Sequence, residues 1–146
     1  MDRIAALGLD VGRRRIGVAG CDGLGLFATG ITTIYRTNWA RDMLQLGQLA
    51  QERQVNILVV GLPYNMDGSL GYQARQVQKF AERCARHLNL DLEYVDERLT
   101  SYAAEQLMLA EGISLRENRA LIDRKAAAII LQQWLDQLRV REQEIG

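Results

Sequence analysis

Ile57-Leu58-Val59-Val60 is an unbroken apolar run closed by Gly61-Leu62-Pro63. It is too short for a helix, and a strand with no polar alternation has to be covered on both faces. That requirement points to a layered fold with helices on either side of a sheet, and the flanking sequence supplies them. Asn38 is suited to cap a helix in which Met43, Leu46, Leu49 and Ala50 share one stripe ending near Arg53. A second helix is predicted over residues 73–87, with Val77, Phe80, Ala81 and Cys84 facing inward, and it leads into a strand over 91–95.

The first part of the chain reads differently. Residues 4–9 and 15–20 are strand-like, with Gly12-Arg13-Arg14 as the turn between them. A third strand is predicted over 26–35, where Ile31, Thr32, Thr33 and Ile34 are β-branched. From Ser101 onward the pattern is helical. The expected architecture is α/β: a five-stranded mixed sheet, three antiparallel strands followed by two parallel ones, flanked by helices. With 146 residues, nearly half of them apolar, and no linker or repeat, residues 1–146 are expected to form a single domain. The polar end, 141–146, is expected to fray.

Eighteen basic and eighteen acidic side chains cancel, so no global field draws this chain to nucleic acid or to a membrane, and a polyanion has to be held by a local patch. All the basic residues except Lys79 and Lys125 are arginines, whose planar fork suits paired contacts to phosphate oxygens. Cys21, Cys84 and the single histidine, His87, have no zinc-ligand spacing, and both cysteines are expected to be reduced. No apolar stretch is long enough to span a bilayer, and Asp2 stands where a leader would be basic, so the expected compartment is the cytoplasm.

Three acids are out of place in such a chain. Asp10 ends a strand that belongs in the middle of the sheet, where an unpaired carboxylate costs several kcal/mol, roughly. Glu97 follows a strand expected to run parallel to the first, so both acids emerge at the carboxyl edge, where open α/β sheets bind ligands. Asp123 lies early in the last helix, whose apolar residues Ile122, Ala126, Ile129 and Ile130 have to face the sheet. Three carboxylates converging without histidine or cysteine make an oxygen-only site, the kind that holds magnesium or manganese. Singly each acid says little, and an Asp-Val-Gly turn taken alone is better explained by an acid capping its own turn; convergence is what gives them meaning.

The segment 8–19, Gly-Leu-Asp-Val-Gly-Arg-Arg-Arg-Ile-Gly-Val-Ala, resembles the opening motif of the YqgF-type pre-16S rRNA nucleases. Residues 60–69, Val-Gly-Leu-Pro-Tyr-Asn-Met-Asp-Gly-Ser, then 96–101, Asp-Glu-Arg-Leu-Thr-Ser, then 122–127, Ile-Asp-Arg-Lys-Ala-Ala, resemble its later motifs in order. The resemblance runs over about residues 4–138 and implies the ribonuclease H-like fold shared with Holliday junction resolvases. Thr29-Gly30, where a proline is expected, and Cys21 in place of a serine depart from it, and neither touches an acid.

What the resemblance implies is a metal-dependent endonuclease hydrolysing phosphodiester bonds, with Asp10, Glu97 and Asp123 as catalytic acids and metal ligands. Two Mg2+ or Mn2+ ions, roughly 4 Å apart, are expected to bridge the scissile phosphate. Asp96 is the reserve for Glu97, because strand parity near a loop can slip by one residue. Arg13, Arg15, Asn65, Ser69 and Arg98 are the expected substrate contacts, set against the plainer readings of a solvated basic turn and a self-contained Asp67-Gly68 turn. Tyr64 and Tyr72 are candidates for stacking on bases, although aromatic residues beside loops more often pack. Gly23-Leu24-Gly25-Leu26-Phe27-Ala28 matches a dinucleotide fingerprint, yet no helix follows it.

The expected partner is nucleic acid, either precursor rRNA in 16S 5′-end maturation, with or without ribosomal particles, or branched DNA in recombination. The protein is then a monomer or a homodimer, with no membrane involved. Two other classes fit this chain less well. A sugar-kinase or actin-like ATPase shares the Asp-x-Gly hairpin but needs a chain more than twice this long. A non-catalytic RNA-binding assembly module has no use for buried carboxylates beside a polyanion.

Overall fold

Five strands form one sheet in the order β3-β2-β1-β4-β5 in the computed structural model, which describes residues 3–97 and 100–145. β1 (Ala6–Val11), β2 (Arg15–Cys21) and β3 (Ala28–Tyr35) are successive antiparallel neighbours. β4 (Ile57–Leu62) joins the other side of β1 in parallel, and β5 (Asp91–Asp96) joins β4, also in parallel. α1 (Trp39–Glu52) precedes β4 and α2 (Tyr72–Leu88) precedes β5, while α3 (Thr100–Ala110) and α4 (Arg119–Ile145) follow. The expected mixed sheet, antiparallel first and parallel later, is what forms.

Strand parity sorts the core into two layers. Leu7, Leu9, Leu58 and Val60 pack with Met43, Leu46, Val77 and Ala81 on the α1/α2 face. Ala6, Val59 and Val95 pack with Ala127, Ile130, Leu131 and Trp134 of α4 on the opposite face. β4 is therefore covered on both sides, as its sequence demands.

Three of the boundaries that differ from the sequence reading have a reason visible in the structure. β1 runs on to Val11, because the ladder continues through Asp10↔Gly17 and Val11↔Ile16, so Asp10 lies within the strand and not at its end. β3 starts at Ala28 rather than Leu26, because the Asp22 carboxylate accepts from the amides of Leu26 (2.8 Å) and Phe27 (3.4 Å) and holds them in a turn. The helix expected to fray near Arg141 continues to Ile145, its last turns tied by Arg139 to Asp136 and by Arg141 to Glu93 of β5 (4.0 Å).

α4 crosses the sheet where the strands lack side chains. A Cβ built on Gly8 would stand 2.7 Å from Leu131 Cβ, and one on Gly17 only 1.9 Å from the carbonyl oxygen of Asp123. Gly30 on β3 makes the same allowance for Arg124. The alanines on α4 permit close approach from the helix side, but it is the glycines that bring the helix backbone onto the strands.

Candidate active site

Gly17 is the cross-strand partner of Asp10, and the Asp123 backbone rests on Gly17. Directly paired residues share a face of the sheet, so the helix sets Asp123 beside the Asp10 carboxylate. The start of α4 is pinned there by Thr33 Oγ1, which donates to the carbonyl of Ala120 (2.6 Å).

Glu97 reaches the same place from β5. Its amide donates to Leu62 O (3.1 Å), carrying the β4–β5 ladder one residue past Asp96, so Glu97 takes the face of Val95 and Asp10. Asp96 falls on the other face and is exposed. Gly61, beside Val95 in β4, leaves the space: a Cβ there would stand 3.0 Å from the Glu97 carboxyl carbon. Between the two neighbours, parity selects Glu97.

Asp10 and Glu97 are hydrogen-bonded to each other. Burial, then the Asp123 charge, pushes the Asp10 carboxyl up from 3.8 to about 6, offset by the Glu97 hydrogen bond and by Arg15. Glu97 is only 9% exposed. Burial, then the Asp10 charge and the bond to Asp10, then Asp96, raises it from 4.5 to about 9. With both carboxyls raised and bonded to each other, at neutral pH the pair holds one proton between them.

A positive group, Arg15, does stand near Asp10, but its bond goes elsewhere. Arg15 Nε donates to Asp123 Oδ2 at 2.6 Å, and both side chains are part-buried. No three His, Cys, Asp or Glu side chains among the described residues are gathered closely enough to hold a cation as they stand. Two of the three acids are joined, and the third is one ion pair away. The donor set nonetheless fits a hard divalent ion. All its ligating atoms are carboxylate oxygens, and a proton now fills the place between two of them where a cation would repay the burial.

The remaining candidates sit around this edge. Arg13 and Arg14 are exposed in the β1–β2 turn, which Arg36 braces by donating from Nη1 to Gly12 O (2.7 Å). Asn65 and Ser69 bond to each other, Asn65 Nδ2 to Ser69 Oγ at 3.0 Å, and Asp67 accepts from Ser69 Oγ at 2.6 Å, so these side chains shape their own loop. Arg98 lies outside the described residues. Tyr64 packs against the core, whereas Tyr72 is exposed. Cys21 and Cys84 are both free thiols. The Arg15–Asp123 pair and the seat on Gly17 were not found from the sequence, although a glycine facing an acid across the predicted hairpin was a signal for the second.

One consequence is measurable without substrate. Between the ordinary carboxylate values and about 9, the native pair binds more protons than the unfolded chain, so ionising it costs stability as pH rises. In chelator the melting temperature is expected to fall from pH 5 to pH 9, and Glu97→Gln to flatten that fall. A wild-type midpoint that climbs over this range contradicts the shared proton.

Comparison with known proteins adds the following. A family model described as "RuvX: Holliday junction resolvase" matches residues 4–137. The chain is 65% identical over 140 residues to a protein of Trichormus variabilis named "Putative pre-16S rRNA nuclease", covering 96% of this chain and 93% of the relative. It is 60% identical over 144 residues to a Synechocystis protein of the same name, covering 99% and 95%. Among solved structures it resembles T. thermophilus RuvC in complex with a Holliday junction substrate (TM-score 0.54, 14% identity, 90% of this chain and 93% of that one). It also resembles a fowlpox virus resolvase bound to Holliday junction DNA (TM-score 0.57, 9% identity, 92% and 99%). At these identities the structural likeness is one of fold, and the fold is ribonuclease H-like.

Proposed function

The chain belongs to the RuvX family, described as Holliday junction resolvases, and on that footing we propose that it is a divalent-metal-dependent endonuclease acting in 5′-end maturation of precursor 16S rRNA in the cytoplasm. It hydrolyses phosphodiester bonds. The observation that carries the reading is the pair made by part-buried Asp10 and buried Glu97, with Asp123 seated next to it on Gly17. Burying negative charge beside a polyanionic substrate is costly, and a cation at that point offsets the cost.

Asp10, Glu97 and Asp123 are the residues that would hold Mg2+ or Mn2+. When bound, the metal supplies Lewis acidity toward the scissile phosphate and a water of lowered pKa. The chain's own residues do the rest. Asp10, central in the sheet and fixed by the β1–β2 ladder, provides the rigid donor, while the proton it shares with Glu97 leaves as the site is loaded. Arg15, part-exposed and holding Asp123, is placed to turn its guanidinium toward a phosphate oxygen once the carboxylate is otherwise engaged. Arg13 at the tip of the adjacent turn contacts the flanking backbone, and the Asn65–Ser69 loop frames the other side of the edge.

Precursor rRNA is favoured over a DNA junction because relatives sharing some 60% or more of their residues over almost their whole length carry the rRNA name. The family description favours the second reading, junction resolution. The deciding experiment incubates the pure protein with precursor rRNA, single-stranded RNA and four-way DNA junctions, each with magnesium, manganese or chelator. Metal-dependent cleavage of the rRNA supports the first reading. Paired symmetric cuts in the junction by a two-fold dimer support the second, and no cleavage of any substrate sinks both.

Loading is expected to stabilise the fold. At a hundredfold excess of Mn2+ over its Kd, linkage adds about 2.7 kcal/mol, or roughly 8 °C in a chain of this size. The shift is expected to shrink in Asp123→Asn and to be accompanied by proton release to the buffer. A midpoint indifferent to saturating Mn2+ counts against the site.

A further inference from the structure

We propose that the outward face of α2 is a track for the phosphate backbone of single-stranded RNA passing from the acidic edge. This rests on the nuclease reading and specifies a surface that reading leaves open. Arg75, Lys79, Arg83 and Arg86 recur at spacings of four, four and three, which places them in one row along the helix. The buried residues Ala74, Val77, Ala81, Cys84 and Ala85 occupy the opposite side, so the row faces solvent. Glu82 is the single acid on α2. In a chain whose charges balance, this helix is strongly basic and the remainder is therefore net acidic.

No ion pair among the described residues uses these charges up. Among the described residues the ion pairs are Arg15–Asp123, Lys125–Glu111, Arg139–Asp136 and Arg141–Glu93, and none involves the row. Arg83 alone is engaged, its guanidinium 3.8 Å above the Trp39 ring, which orients it while leaving its charge in place.

The row begins at the same edge of the sheet as the acids, on its opposite face, so a strand leaving the acidic edge reaches it by passing over that edge. β4 ends at the edge where Asp10 and Glu97 emerge, α2 starts ten residues after Leu62, and β5 starts from the far edge. α2 therefore runs away from the acids, and from Arg75 to Arg86 the row extends about 16 Å at 1.5 Å per residue. Arg36 joins it to the site, one end on Gly12 O and the guanidinium 4.4 Å over Phe80 of α2. Tyr72, 75% exposed at the head of the helix, offers a ring on which a base can stack. The chemistry that fits is a flexible polyanion with exposed bases. An anionic lipid surface fits less well, because a helix lying on a membrane buries its apolar face, and that of α2 is spent on the sheet.

The test is fluorescence anisotropy of a 20-nucleotide single-stranded RNA in chelator, over a salt series, with Arg75→Gln/Lys79→Gln/Arg86→Gln. Arg83 is left because it packs on Trp39. At about 0.7 per phosphate contact, the slope of log K against log salt is expected to fall by about 2. Affinity at low salt should drop at least tenfold, while manganese-supported cleavage of a short oligonucleotide stays at the wild-type rate. Arg75→Lys/Arg86→Lys should keep the slope, which separates charge from folding. An unchanged slope overturns the proposal. So does an equal loss per charge in Arg139→Gln/Arg141→Gln on α4, or binding to phosphatidylserine vesicles in place of RNA. Because binding is read in chelator, a wild type that binds but cuts nothing refutes the nuclease reading and leaves this one standing.

Discussion

Asp10→Asn is expected to lose cleavage by about a thousandfold or more while melting at or above the wild-type temperature in chelator. The two halves of this result have one cause. The Asp10 carboxyl is raised to about 6 by burial and by Asp123, so in the absence of a cation its charge opposes the fold. An isosteric amide removes that charge and the repulsion of Asp123 without opening a cavity. The same substitution takes away the central anionic oxygen donor, and losing roughly 4 kcal/mol of transition-state stabilisation is about three powers of ten in rate. The stabilisation by Mn2+ should shrink in parallel. Cleavage kinetics with a melting curve on the same preparation check both halves, and full activity in the variant removes Asp10 from the mechanism.

Gly17→Ala is expected to be the most damaging single methyl in the sheet. The added Cβ would sit 1.9 Å from the Asp123 carbonyl oxygen and 2.4 Å from its carbon, atoms of a helix backbone with no rotamer in which to escape. α4 has to lift from β2, which loosens the layer of Ile130, Leu131 and Trp134 and carries Asp123 away from Asp10. A cost of about 3 kcal/mol is in line with overpacking and lowers the midpoint by about 10 °C. Activity should fall even at temperatures where the variant is folded. Gly23→Ala is the matched control: its Cβ would meet only the flexible Arg3 side chain at 3.5 Å, so a change within about 0.5 kcal/mol is expected. Equal midpoints for the two variants would mean that the helix does not rest on Gly17.

What the sequence made legible is the part governed by local pattern and by element order. The apolar run 57–60 demanded cover on both faces, and the strand–helix–strand order put Asp10 and Glu97 at one edge. Parity then explains why Glu97 and not Asp96 turns to that edge, once the ladder is known to extend past Asp96. What stayed hidden depends on separations no window along the chain can see. Arg15 and Asp123 are 108 residues apart, so Arg13 and Arg15 read alike as phosphate contacts when one of them is tied to an acid. Gly17 in a strand looks like a weak point until the helix backbone is found on it. The basic row on α2 was obscured for another reason: its charges vanish into a neutral total, although the inward face predicted for this helix already left the row on its outer side.

Manganese is the direct probe of the central claim, because its anomalous scattering locates it without assumption. A crystal grown in Mn2+ near neutral pH should show the ion against the carboxylate oxygens of Asp10 and Glu97, at a little over 2 Å, with the hydrogen bond between them gone and Asp123 drawn toward the metal from Arg15. A crystal at saturating Mn2+ in which Asp10 and Glu97 are still hydrogen-bonded to each other, with the metal at another place or at none, contradicts the assignment of these acids as the metal centre.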